Sequence, residues 1–190
     1  MAARYRRRGL DATARRLFEL LRGRGETVLE IGGGVGELEI ELLQAGASHA
    51  VNVELSPAYE QEGARLVTES GVAGRLEWRY GDVAVDRDLV DAADVVVMHR
   101  VVCCYPDMPA LVGVAADKTR RAFALSFPRN AWFVRLGARF VNGWCRLRRS
   151  AFRFYVHPPE AIDAVAREHG LRAAGAHTGW IWQVAGFARD

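Results

Sequence analysis

Glu30-Ile-Gly-Gly-Gly-Val-Gly36 joins a short apolar run, Thr27-Val-Leu-Glu-Ile31, to a helical pattern carrying Leu38, Leu42 and Leu43. A strand that turns through glycines into a helix is where a ligand can meet backbone. The turn needs unusual torsions, and a Cβ would collide with the ligand. The G-x-G-x-x-G register of dinucleotide folds fails, because Glu37 stands at its third glycine position. The G-x-G-x-G register holds, with Gly32, Gly34 and Gly36 preceded by Glu30. A carboxylate repels a pyrophosphate, so this acidic-first loop suits a ligand that carries a cation.

Working outward, apolar strands are predicted at 50–54, 76–80, 93–98, 121–127, 171–178 and 181–188. Helices are predicted at 10–22, 56–70, 108–118, 130–148 and 158–169. Ala93-Asp-Val-Val-Val-Met98 is almost continuously apolar, as in a strand buried on both faces of a parallel sheet. Gly179 separates the last two strands by a tight turn, which implies an antiparallel edge. Alternating strands and helices predict an α/β sheet covered on both faces. The chain reads as one domain over 1–190, with a basic arm and helix at 1–25 and an insertion at 128–158.

The 190 residues carry 26 basic and 23 acidic side chains, a net charge of +3, and 50% are hydrophobic. That supplies a core and excludes a disordered, collagen-like or purely coiled-coil chain. Nothing approaches the ~18 uninterrupted apolar residues of a membrane span, and the first residues lack an apolar signal core. Cys103, Cys104 and Cys145 form no C-x-x-C pair and no disulfide framework, so a cytoplasmic location is expected. No metal site is predicted: adjacent Cys103 and Cys104 read as small hydrophobes rather than a thiophilic pair. The run Arg4 to Arg8 carries a single aromatic residue, Tyr5, and no repeated aromatic interleaving, which argues against nucleic acid as a partner.

Two further acids lie at strand ends. Glu54 follows Gly36 by 18 residues, where a carboxylate can chelate ribose hydroxyls. Asp82 follows the third strand and can accept from an adenine amine. Taken in order with the glycine loop, they point to a cationic ligand bearing adenosine. From Val28 to about Phe127 the sequence resembles the class I S-adenosylmethionine-dependent methyltransferases. The resemblance implies a seven-stranded sheet in the order 3-2-1-4-5-7-6, with strand 7 antiparallel. It also implies roles: Glu30, Gly32, Gly33, Gly34 and Gly36 near the methionine moiety, Glu54 and Leu55 at the ribose, and Asp82 with Val83 around adenine. His99 and its neighbour Arg100, after the fourth strand, would flank the methionine end and the reaction centre.

A narrower set of residues is similar to the magnesium-protoporphyrin O-methyltransferases. These are Tyr5-x-x-x-Gly9-Leu10, Tyr105-Pro106, and Lys118-Thr-Arg-Arg121 leading to Phe127-Pro-Arg129. In that family a tyrosine and a histidine form the proposed acid/base pair; Tyr5 matches the first, and Cys104 stands where the histidine would be. No [DN]-P-P-[YF] follows the fourth strand and no Pro-Cys nucleophile is present, so a small-molecule acceptor is expected. Methyl transfer is an in-line displacement that mainly needs alignment, exclusion of water and, for some acceptors, removal of a proton. Tyr5, His99 and Cys104 are the candidate catalytic residues, with Tyr5 and His99 also placed at the cofactor. Arg100, Tyr105, Arg129, Trp132 and His157 are the candidate acceptor contacts.

Residues 130–149 mix Trp132, Phe133, Leu136, Phe140, Trp144 and Leu147 with five arginines. The segment reads as a lid over an apolar or aromatic acceptor that also joins the core, with contact to a membrane surface as another reading. Arg4 to Arg8 reads as a solvated arm closing over the cofactor, anchored by Tyr5. The rival functions are a non-catalytic partner-binding subunit of the same fold and an RNA methyltransferase.

Overall fold

The computed structural model describes residues 2–189; Met1 and Asp190, where the expected domain begins and ends, lie outside the described residues. Parallel strands β1 (Thr27–Ile31), β2 (His49–Glu54), β3 (Leu76–Tyr80), β4 (Ala93–His99) and β5 (Thr119–Pro128) form the centre of the sheet. β6 (Arg172–Thr178) and β7 (Trp182–Ala188) complete it as a hairpin, with β7 antiparallel to β5, in the order β3-β2-β1-β4-β5-β7-β6. The tight turn is closed by the Gly179 N–H donating to Trp182 O at 2.9 Å.

Period-two alternation explains why both faces are covered. Leu29 and Ile31 of β1, Val96 and Met98 of β4, and Phe123, Leu125 and Phe127 of β5 face one way. They meet α5 (Met108–Asp117) and α7 (Pro159–Glu168). Val28, Val95, Val97, Ala122 and Ala124 face the other way, against α2 (Ala12–Leu21), α3 (Glu37–Gln44) and α4 (Glu60–Glu69).

Two elements depart from expectation. Residues Ala2–Arg8 form a short helix, α1, rather than a solvated arm. Arg4 bonds Glu37 at 3.0 Å, and Arg6 bonds Glu62 and Glu69, each at 2.6 Å. Four arginines in seven residues leave no apolar stripe to read, because ion pairs to α3 and α4 hold the helix. The second departure is α6 (Trp132–Leu147), of whose 16 residues only Val134 and Ala138 are buried. The expected contribution of this segment to the core is therefore small. No described helix is long and apolar enough to cross a membrane.

Candidate active site

The strand order reverses between β1 and β4, so the chain leaves their carboxyl ends in opposite directions and opens a crevice. A cavity of about 560 Å³ lies there, lined by Gly32, Gly34, Glu54 and Tyr59 on one side and by His99, Arg100, Val101 and Cys104 on the other. Arg4, Asp11 and Glu37 close its mouth.

The loop torsions are those that glycine supplies. Gly32 has φ +73°, its N–H donates to Val53 O at 2.7 Å, and a Cβ there would lie 2.5 Å from Val101 Cγ2. Gly36 caps α3 in the left-handed region. The Gly34 N–H donates to Glu54 Oε1, which ties the loop to the end of β2. Burial raises the Glu54 carboxyl above its usual range, while the N–H groups of Gly34 and Leu55 pull the other way.

Asp11 organises the opposite wall. It caps α2 by accepting from the N–H groups of Thr13 and Ala14, both at 2.9 Å, and it accepts from Arg100 Nη2 at 2.8 Å. Although burial opposes its ionisation, the Ala14 N–H, Arg100, His99 and Arg4 together hold its carboxyl below the ordinary range. Arg100 has φ +61°, a backbone conformation that costs a residue with a Cβ about 1–2 kcal/mol. It is kept there by its N–H to Ser126 Oγ at 3.0 Å, by Asp11, and by its guanidinium lying 4.7 Å from the Trp182 ring centre.

His99 Nδ1 lies 2.9 Å from Ser126 Oγ, and Nε2 lies 3.9 Å from Asp11 Oδ2. Burial, with Arg100 adjoining, lowers the His99 pKa to about 4, so the ring is neutral at physiological pH. Ser126 Oγ accepts from the Arg100 N–H and also pairs with His99 Nδ1, which fixes the plane of the ring. Cys104 is exposed at the cavity wall with its sulfur 3.6 Å from that of Cys103, which donates to Arg100 O at 3.3 Å.

A second, narrow crevice of about 40 Å³ runs beyond Gly32 between Leu55, Asp82, Val83 and Tyr105. Tyr105 donates its hydroxyl to Asp82 at 2.9 Å. The Asp82 side chain also accepts from the Ala84 N–H at 3.0 Å. Tyr105, expected at the acceptor, therefore stands on the Asp82 side of the crevice.

Glu30 is not exposed to the cavity. Its side chain points behind the loop, where Glu30 Oε2, both Glu39 oxygens and Asn52 Nδ2 are buried with no partner that meets hydrogen-bond geometry. Burial raises both carboxyls, Glu39 to about 7 and Glu30 well above the usual range, with the Glu39 charge adding to the rise at Glu30, so the pair holds a proton at neutral pH. Gly33 lies directly over it: a Cβ there would sit 2.6 Å from Glu39 Oε1 and 2.7 Å from Asn52 Nδ2. Gly33 thus serves the packing beneath the loop, while Gly32 and Gly34 face the cavity.

Five other expected site residues lie outside both cavities, one of them Gly36, whose place is the cap of α3. Tyr5 donates its hydroxyl to Glu41 at 3.0 Å on the outer side of α3; burial and the two glutamates, 41 and 37, raise its pKa, so it is no base at this distance from the crevice. Tyr5→Phe is expected to cost about 1 kcal/mol of stability and to leave cofactor affinity unchanged, which a thermal melt and a titration check together. Arg129 and Trp132 are exposed at the start of α6. His157 contacts Val102 O at 3.1 Å and stacks on Tyr155, so it braces the turn that carries Cys104. The residues that sequence reading passed over are Asp11, Glu37 and Tyr59, together with Arg4 as the arm's actual cavity contact. Asp11 carried one local signal, as an acid directly before an amphipathic helix.

The donor set fits S-adenosylmethionine: Glu54 is available to ribose hydroxyls, Asp82 to an amine, and mixed charges at the mouth to an amino-acid zwitterion. Comparison with known proteins agrees. The "Methyltransferase domain" family profile matches residues 2–174. A ribosomal protein L11 methyltransferase from Edwardsiella ictaluri is 29% identical over 157 residues, 80% of this chain and 46% of that protein. The chain thus spans about half the length of that curated relative. A magnesium protoporphyrin IX methyltransferase from Synechocystis, solved with bound S-adenosylhomocysteine, superimposes with a TM-score of 0.70 at 24% identity. The match covers 87% of this chain and 74% of that one. An O-methyltransferase family protein from Burkholderia thailandensis gives a TM-score of 0.74 at 19% identity, covering 93% of this chain and 55% of that one. With a family match over most of its length, a sheet in the order 3-2-1-4-5-7-6 and a glycine loop answered by acids at the next two strand ends, the chain belongs to the methyltransferase-domain family and carries the fold of the class I S-adenosylmethionine-dependent methyltransferases.

Proposed function

We propose that this enzyme methylates a small, apolar or aromatic molecule whose acceptor atom is nucleophilic without help from a protein base. The observation that carries this reading is that the imidazole and the carboxylate that meet at the inner wall of the cavity, His99 and Asp11, are both mismatched as bases to neutral pH. His99 is neutral but titrates near 4, and Asp11 is held ionised by Arg100 and Arg4. Neither takes a proton effectively at neutral pH. A thiol, an amine, a carboxylate or an acidic phenol needs no such base.

When bound, S-adenosylmethionine supplies an electrophilic methyl group on a good leaving group. The residues' part is to hold and align. Glu54 accepts from the ribose hydroxyls. Asp82 and Val83 frame the adenine, with Leu55 and Tyr105 walling that slot. Glu37 and Asp11 face the ammonium group of the methionine moiety, and Arg4 and Arg100 its carboxylate. His99, neutral and held by Ser126, lines the methionine end, a positioning role in place of the base expected from its location.

An acceptor has an apolar way in. Ala12 and Trp182, beside Asp11 and Arg100, line a groove of about 380 Å³ together with Thr13, Trp180 and Ile181. RNA is disfavoured because Arg4 and Arg6, the centre of the basic run, are held in ion pairs with Glu37, Glu62 and Glu69. Screening thiols, amines, carboxylic acids and phenols by release of S-adenosylhomocysteine tests the proposal; turnover confined to alcohols, or to RNA, contradicts it. The rate is expected to show no histidine-like inflection between pH 5 and 8, because the His99 imidazolium forms only below about pH 4. An inflection near 6.5 that disappears in His99→Asn would restore His99 as the base.

A further inference from the structure

The strongest feature unrelated to the crevice is the outer face of α6. We propose that this helix and the 179–181 turn form a docking surface for an anionic lipid bilayer. At about 100° per residue, Trp132, Leu136, Phe140, Trp144 and Leu147 fall on one stripe. That stripe points away from Val134 and Ala138, the two buried positions. Trp132 is 77% exposed, Phe140 73% and Leu147 76%, values opposite to those of a core helix. The stripe continues onto the β6–β7 turn, where Trp180, 78% exposed, makes an edge contact with Phe133.

Charge identifies the occupant. From 129 to 153 the chain has seven arginines and no aspartate or glutamate. Arg135, Arg139 and Arg146 form a band along one border of the stripe, and Arg148 lies on the other border, over the Trp144 ring at 4.7 Å. Among the described residues none of the seven takes part in an ion pair, although the chain as a whole is nearly balanced in charge. An apolar stripe with aromatic residues and a cationic border is what an interfacial helix requires: apolar side chains enter the headgroup–acyl boundary while guanidinium groups meet lipid phosphates.

Pairing of α6 with its copy would bring arginine bands together with no carboxylate in the segment to offset them. Single-stranded RNA could use the arginines and rings, but Leu136, Val141 and Leu147 offer it no stacking surface. The helix is also held for the purpose. Asn142, on the inner side, donates to Phe154 O at 2.9 Å and accepts from the Phe154 N–H at 2.7 Å, which pins the segment so that the stripe stays outward.

The test is flotation of the full chain with vesicles of phosphatidylcholine alone and of equal parts phosphatidylcholine and phosphatidylglycerol, with tryptophan emission recorded. Binding to the anionic vesicles with a blue shift is expected, falling as salt is raised. Arg139→Gln and Arg146→Gln should each weaken it roughly fivefold. Phe140→Ser and Trp144→Ser should each weaken it by more than about tenfold. All four positions are exposed, and circular dichroism and melting confirm that each variant is folded. The proposal is overturned by absent vesicle binding, or by equal binding to both vesicle types that the arginine variants leave unchanged. It is equally overturned if Phe140→Ser instead abolishes a concentration-dependent dimer or RNA retention while vesicles float free of protein.

Discussion

Glu54→Ala is expected to weaken S-adenosylmethionine binding on the order of a hundredfold without unfolding the protein. Hydrogen bonds to a charged acceptor contribute about 1.5–3 kcal/mol each, and the substitution removes the acceptor for both ribose hydroxyls. It also frees the Gly34 N–H, which Glu54 Oε1 now accepts, so the loop loses its tie to β2. The fold itself should tolerate the change, because burial already disfavours the Glu54 carboxylate. A calorimetric titration of both proteins measures the difference; equal affinities would remove Glu54 from the cofactor site.

Glu39→Gln is expected to stabilise the protein above neutral pH and to do little in acid. The Glu39 carboxyl titrates near 4.5 when unfolded and at about 7 in the fold. Between those values the folded chain keeps a proton that the unfolded chain has lost, so stability falls as pH rises through that window. Above pH 7 the full cost is present, on the order of 3 kcal/mol for a shift of this size. Glutamine keeps a hydrogen-bond acceptor for protonated Glu30 and carries no charge to desolvate. Urea unfolding at pH 5 and at pH 8 checks this: the variant's advantage should be much larger at pH 8. An equal difference at both values, or a loss of stability at pH 8, would mean that the two carboxyls do not share a buried proton.

Much of the fold was legible because strand burial leaves a local signature. Ala93-Asp-Val-Val-Val-Met98 is apolar on both faces, and the structure buries Val95 and Val97 on one side and Val96 and Met98 on the other. The glycine register was legible for a similar reason, since positive φ at Gly32 and Gly36 is a property of single residues. What could not be read depends on contacts between distant segments. Asp11 reaches Arg100 across 89 positions, and Arg4 reaches Glu37 across 33. Glu30 showed the right residue in the right motif, yet its side chain turns to Glu39 and Asn52 beneath the loop, a pairing no local pattern announces. The period of α6 was plain, but the same period serves a helix covered by protein and one left open, and only the structure distinguishes them.

The most direct test of the account is calorimetric titration of the purified protein with S-adenosylmethionine and, separately, with NAD. Micromolar binding of S-adenosylmethionine alone, lost in Glu54→Ala, is the predicted result. Binding of NAD, or S-adenosylmethionine affinity indifferent to Glu54, would contradict the assignment of this crevice as the methyl-donor site.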